Sequence, residues 1–197
     1  SPLRDVYKRQ ATSGLKLMIE STYWRQELRA EVLWLKRHRK YRRWSEKQLV
    51  LYERRLMLVA FQVRSLLERP KVNDRARSVR LPAIRYKKIG AKPLTFVGAG
   101  FPEHRFDIAN PEAVDLSILD VCNQLIHYYW MQTWSDGTAF KSMLVFSDYM
   151  RNKWAYEFLI EDLICIFSVF ADESSAVTSI SFEWNDKKQD YVTDYAR

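Results

Sequence analysis

The chain of 197 residues is poor in the residues that make loop-built sites. It has 5 glycines, 6 prolines, 2 cysteines and 3 histidines. So few glycines argue against a site built on glycine turns, and no phosphate loop or dinucleotide fingerprint occurs. Cys122 and Cys165 cannot make a disulfide framework or a four-cysteine metal centre. His104, beside Glu103 and Asp107, lacks the spaced second histidine or cysteine that zinc or iron would need, so no metal and no cofactor is expected. No run approaches the roughly 18 apolar residues that span a bilayer, so no membrane partner is expected; reduced thiols and the lack of a secretory mark favour a cytoplasmic setting. What the chain does have is a hydrophobic fraction of 47% with 14% aromatics, the composition of a folding chain.

Charge is divided unevenly along the chain. Residues 1–100 hold 25 Lys and Arg against 8 Asp and Glu, a net +17, while residues 101–197 hold 7 against 16, a net −9. Two readings follow. The basic half meets an outside polyanion, gaining free energy by displacing condensed counterions. Alternatively, the acidic half meets the basic half, within one molecule or between two, which makes the protein an interaction module or a homodimer.

Residues 1–14 are set aside as a non-native or disordered leader. Asp5-Val6-Tyr7-Lys8-Arg9-Gln10 resembles a translated transposase end from sequencing libraries, which places the native start upstream. Beyond it, Trp24, Leu28, Val32 and Leu35 predict a helix over about Thr22–Arg43. Leu49, Tyr52, Leu56, Val59, Val63 and Leu66 predict a second helix from Ser45 to Arg69, stopped by Pro70. Together, residues 15–69 should form an antiparallel hairpin. Residues 70–109 lose the period and read as a long loop with one or two short strands, a length that suggests binding or covering something. Asn110-Pro111-Glu112 predicts the start of a helix running to Trp134. Over 138–197 we expect a β-hairpin from Met143 to Ile160, a helix Leu163–Phe170 and a second hairpin around Ile180 to Val192. The fold class is α+β, a single domain with a small antiparallel sheet confined to its last third.

Two constellations carry chemistry. Lys36-Arg37-His38-Arg39-Lys40-Tyr41-Arg42-Arg43-Trp44 places six cations and two stackable aromatics in nine residues, and Arg85, Lys87 and Lys88 follow downstream, so that both runs could line one nucleic-acid surface. The same cations near a helix C-terminus would also suit the helix dipole and solubility. The second constellation is Ser117, Asp120, Asn123, Gln124 and His127, one polar strip on an otherwise apolar helix. Such a strip either finds hydrogen-bond partners or borders a cleft.

Within that strip, Cys122-Asn123-Gln124-Leu125-Ile126-His127 resembles the motif of the HEPN superfamily. These are small helical proteins, often dimeric, and many are metal-independent ribonucleases of bacterial toxin–antitoxin and phage-defence systems. The resemblance implies catalytic roles for His127 and Asn123, with Asp120 beside them, in a bacterial or phage-associated protein. Its arginine position is Cys122 here. A thiol cannot stabilise developing phosphorane charge as a guanidinium does, so an arginine would have to come from elsewhere, such as Arg105 or a partner subunit. The reading that follows is RNA or polyanion binding by a basic N-terminal helical surface, with the interaction module and the ribonuclease as alternatives.

Overall fold

The computed structural model describes residues 14–40, 45–68, 72, 74–98, 101–172, 181–187 and 189–194. The fold is α+β. Helix α1 (Gly14–His38) and helix α2 (Glu46–Glu68) form the expected hairpin. Glu31 pairs with Arg55 and Trp34 packs on Tyr52, so positions climb along one helix as they fall along the other, which is the antiparallel signature. Compared with the expectation, α1 begins eight residues earlier and ends five sooner. It stops because the Arg39 carbonyl leaves the helix to accept the Phe140 N–H at 2.9 Å. Ser45 caps α2 in a reciprocal box: its Oγ accepts the Gln48 N–H, and the Gln48 side chain accepts the Ser45 N–H. The leader through residue 13 lies outside the described residues.

The segment expected to be a loop contains a one-turn helix α3 (Asp74–Arg77) and then an eight-residue strand, β1 (Arg80–Lys87). In β1 Leu81 and Ala83 are buried on the helix-covered face and Tyr86 on the other, a strand signature that Pro82 disguises in the sequence. Pro82 falls in the part of β1 that pairs on one side only, where a missing donor is tolerated.

The expected helix over 110–134 is corrected to three elements: strand β2 (Glu112–Ser117), helix α4 (Ile118–Ile126) and strand β3 (Tyr128–Ser135). Asn110 caps no helix; its amide donates to the Asp107 carboxylate instead. Ser117 is the true cap, accepting the Asp120 N–H on its Oγ. Alternation at Val114 and Leu116, and the bulky aromatics of Tyr128–Trp134, favour extended chain on either side.

Strands β4 (Phe140–Ser147) and β5 (Trp154–Leu159) form the anticipated hairpin, and helix α5 (Ile160–Asp172) follows directly. The main sheet is therefore larger than expected, with the antiparallel order β2-β1-β5-β4-β3 drawn from residues 80–159. Strands β6 (Ser181–Asn185) and β7 (Asp190–Asp194) make the second hairpin as a separate pair; Ile180 lies outside the described residues. At the β3–β4 turn, Asp136 accepts the Thr138 hydroxyl and the N–H groups of Thr138 and Ala139, which hold its carboxyl well below the usual range, and Gly137 supplies a φ of 83°.

Both faces of the sheet are covered. Met143, Val145, Tyr156 and Phe158 face one buried cluster shared with all four long helices, in which α1 packs along α5 and α2 along α4. Leu144, Phe146, Ala155 and Tyr86 face a second cluster, closed by Leu94 and Phe106 from the segment after β1. That long connection covers the sheet. It explains why Met143–Phe146 reads as an unbroken apolar run rather than an alternating one.

Adjacent positions in β5 test this arrangement. Phe158 is 0% exposed and Leu159 52% exposed. Phe158→Ala should lower unfolding free energy by about 3–5 kcal/mol and Leu159→Ala by less than about 1 kcal/mol, measured by urea denaturation.

Candidate nucleic-acid interface

Most of the described arginines in the first half are already engaged. At the C-terminal end of α5, Arg25, midway along α1, is buried and donates to the Phe170 carbonyl at 2.9 Å. Arg29 donates to the Ala171 carbonyl and pairs with Asp172 at 2.8 Å. These bonds satisfy the last carbonyls of α5 and place cations at the negative end of its dipole. At the other end, Arg39 pairs with Glu161, in the first turn of α5, at 3.0 Å. Arg55 pairs with Glu31 at 2.6 Å and lies 4.3 Å over the Trp34 ring. His38 donates from Nδ1 to the Trp34 carbonyl and stacks on its ring. The acidic half thus meets the basic half inside the molecule.

Of the nine-residue cluster, Lys36, Arg37 and Lys40 remain exposed with no ion pair among the described residues. Tyr41, Arg42, Arg43 and Trp44 lie outside the described residues. Arg85 is committed elsewhere: it sits directly across from Glu112, pairs with it at 2.8 Å and lies 4.0 Å over Trp154.

Lys87 and Lys88 belong to a different grouping, one that the sequence does not show. The Lys88 N–H bonds the Lys153 carbonyl, the Ile89 N–H bonds the Arg105 carbonyl, and the Asp107 N–H bonds the Lys87 carbonyl. Antiparallel pairing so brings Lys87, Lys88, Lys92, Arg105 and Lys153, from three separate stretches, to one end of the sheet. None of the five forms an ion pair among the described residues. Lys88 Nζ instead donates to the Ile89 and Gly90 carbonyls. Between these strands of chain lies a groove of about 260 Å³ lined by Ile89, Gly90, Ala91, Lys92, His104 and Arg105. Lys36–Lys40 lie at the opposite end, near the start of β4 and the start of α5, so the two basic runs do not form one surface.

The polar strip of α4 is divided among separate tasks. Ser117 and Asp120 are hydrogen-bonded to each other at the N-terminus. His127 closes the C-terminus, its N–H bonding the Asn123 carbonyl. Seven residues of helix put Asp120 about 10 Å from His127 along the axis, so these two are not brought together. Asn123 Oδ1 and Gln124 Oε1 are buried and accept no hydrogen bond among the described residues. Cys122 faces the core, where burial pushes its thiol up and leaves no room for an arginine.

The cation beside His127 comes from α2. Arg64 donates to His127 Nε2 at 3.3 Å, with the other side of its guanidinium held by Glu68 at 2.7 Å. The Tyr149 ring lies 6.2 Å from the imidazole. Arg105, the candidate arginine read from the sequence, sits in the groove instead. Nothing in the pattern of α2 singles out Arg64, which lies 63 residues from the histidine it meets. His127, at the start of β3, is at the same end of the sheet as Lys87, Lys88 and Lys153.

Among the described residues no cluster of three His, Cys, Asp or Glu side chains is arranged to hold a metal ion, and no helix is long and apolar enough to cross a membrane. Compared with known protein families, curated proteins and solved structures, the chain matches none.

The internal ion pairs have a pH signature. The hydrogen bond from Arg39 holds the Glu161 carboxyl below its ordinary value. A depressed carboxyl contributes stability above its unfolded value of about 4.3 and loses that contribution as pH falls through the folded one. Glu161→Gln should therefore lower the urea midpoint slightly at neutral pH and match the parent in strong acid.

Proposed function

We propose that the protein binds single-stranded nucleic acid, RNA foremost, at the end of the sheet where Lys87, Lys88, Lys92, Arg105 and Lys153 converge. The observation that carries this reading is their lack of carboxylate partners among the described residues, in a molecule that pairs Arg29, Arg39, Arg55 and Arg85 internally. Free cations are what a polyanion needs, since each phosphate they neutralise releases a counterion. Phe101, well exposed, stands in the covering segment beside them and offers a face on which bases stack. Lys36, Arg37 and Lys40 supply a second contact for a longer strand, displaced by about the length of β5, roughly 20 Å.

Anisotropy of a labelled oligouridylate against salt tests this. Three to five neutralised phosphates give a slope of log affinity on log salt of about −2 to −3.5. The double variant Lys87→Gln/Lys153→Gln should flatten the slope by about one unit. No binding at low ionic strength, or binding indifferent to salt, contradicts the proposal.

The contact of Arg64 with His127 favours a second reading, metal-independent RNA cleavage. A guanidinium is always protonated, so it donates and leaves Nε2 as acceptor, with the proton on Nδ1. In-line attack by a 2′-hydroxyl needs a base and a cation for the phosphorane; under this reading Arg64 turns from Nε2 to the phosphate, which frees that nitrogen of His127 to act as the base, and the resemblance to HEPN proteins points the same way. Under this reading His127→Ala and Arg64→Lys each abolish cleavage of single-stranded RNA in the presence of a chelator while the melting temperature holds. Cleavage by His127→Ala at the parental rate removes it.

A further inference from the structure

The groove beside the converging lysines has features that a general cation patch does not require. The Lys88–Phe106 bridge and the Ile89 to Arg105 hydrogen bond clip the chain after β1 to the 3-10 helical turn Pro102–His104, so the groove walls are fixed to each other. Three of its six lining residues are Lys92, His104 and Arg105, and no carboxylate lines it. The nearest acid on the same turn, Glu103, is outside the lining, and the Asp107 carboxylate accepts both contacts from the Asn110 amide. On its rim Phe101 stacks against His104, with ring centroids 5.9 Å apart and planes 17° apart, while Phe101 stays 60% exposed.

These observations concern one ligand chemistry. The forked guanidinium of Arg105 and the ammonium of Lys92 suit a terminal phosphate, whose oxygens accept several charge-assisted hydrogen bonds. The Phe101–His104 stack offers a flat apolar face beside them for a ring. At about 260 Å³ the groove is just below the roughly 300–1,000 Å³ of sites for drug-sized molecules, enough for a phosphate and part of a nucleoside but not for a dinucleotide cofactor. We infer that this groove is a subsite for a phosphomonoester carried next to a nucleobase, with Lys92 and Arg105 on the phosphate and Phe101 under the base. Two sources have that chemistry: a free nucleoside monophosphate, and the phosphorylated end of a nucleic-acid strand. The inference deepens the nucleic-acid reading and takes its choice of ligand from it.

The test titrates the full chain with adenosine monophosphate, adenosine and inorganic phosphate, following the backbone amides of Ile89–Lys92 and His104–Arg105 by NMR. Adenosine monophosphate should shift them at far lower concentration than adenosine. Arg105→Gln should weaken it by about ten- to a hundredfold, the ratio carried by one charge-assisted hydrogen bond. Phe101→Leu should weaken adenosine monophosphate but leave inorganic phosphate unchanged. Arg105 and Phe101 are exposed, and parental melting temperatures would confirm that both variants fold. A second arm compares 5′-phosphorylated with 5′-hydroxyl hexauridylate. Tighter binding of the phosphorylated strand, lost in Arg105→Gln, identifies the strand end as the source; a response to adenosine monophosphate alone identifies the free nucleotide. Unmoved amides, or parental affinity in Arg105→Gln, overturn the groove even if RNA still binds at Lys87 and Lys153. A groove that responds to adenosine monophosphate in a protein that binds no RNA overturns the nucleic-acid reading and leaves the groove standing.

Discussion

Helix α1 lies along α5, and the rest of the molecule is arranged around that contact. Its apolar seam, including Leu28, Val32 and Leu35 on one side and Leu163, Phe167 and Phe170 on the other, belongs to the main buried cluster. Burying such side chains is worth about 1.5–3 kcal/mol each, whereas an exposed ion pair contributes about 0.2–1 kcal/mol. The seam therefore supplies the stability. Arg25 and Arg29 at one end and Arg39 at the other set its register, because each reaches a particular carbonyl or carboxylate of α5. Arg39 illustrates the asymmetry: its side chain is 17% exposed and that of Glu161 is 74% exposed, so the pair anchors a mostly buried cation with an acid standing in water.

This packing decides what the excess charge can do. A net +17 in the first half invites the picture of a basic arm awaiting a polyanion. Folding spends several of those cations on the second half, and among the described cations left without an ion pair are two groups, one at each end of the sheet. The larger group is assembled by backbone pairing of β1 with β5 and with the 102–107 segment, so its geometry depends on the sheet rather than on the helices. That end also carries His127 and Arg64, so the proposed binding surface and the proposed base with its cation lie at one end of the sheet.

Helices α1, α2 and α5 and the last two hairpins were legible because each carries a local signal of its own. In α2 the stripe from Leu49 to Leu66 and the Ser45 cap are local signals, and the aromatic runs on either side of Asp148–Asn152 mark β4 and β5. The region from 70 to 134 was not legible, and the reason is competition between local signals and tertiary pairing. Asn110-Pro111-Glu112 has the form of a helix start, yet the cross-strand pair of Glu112 with Arg85 and the burial of Val114 and Leu116 draw the chain into a strand. Pro82 hid β1 for a similar reason. At the candidate sites, the isolated cationic runs were visible in the sequence. The pairing of Arg39 and Arg85, the joining of Lys87 to Lys153 and Arg105, and the meeting of Arg64 with His127 were not, because each links residues far apart in sequence.

The fold separates cations it has engaged from cations it has left free. Photocrosslinking of a bound uridine-containing RNA, followed by mapping of the modified peptides by mass spectrometry, addresses that distinction directly. Adducts should concentrate in residues 87–105 and 148–153, with a secondary set at 36–40. Adducts centred on Arg25, Arg29 or Arg55, or spread evenly over α1 and α2, would contradict it.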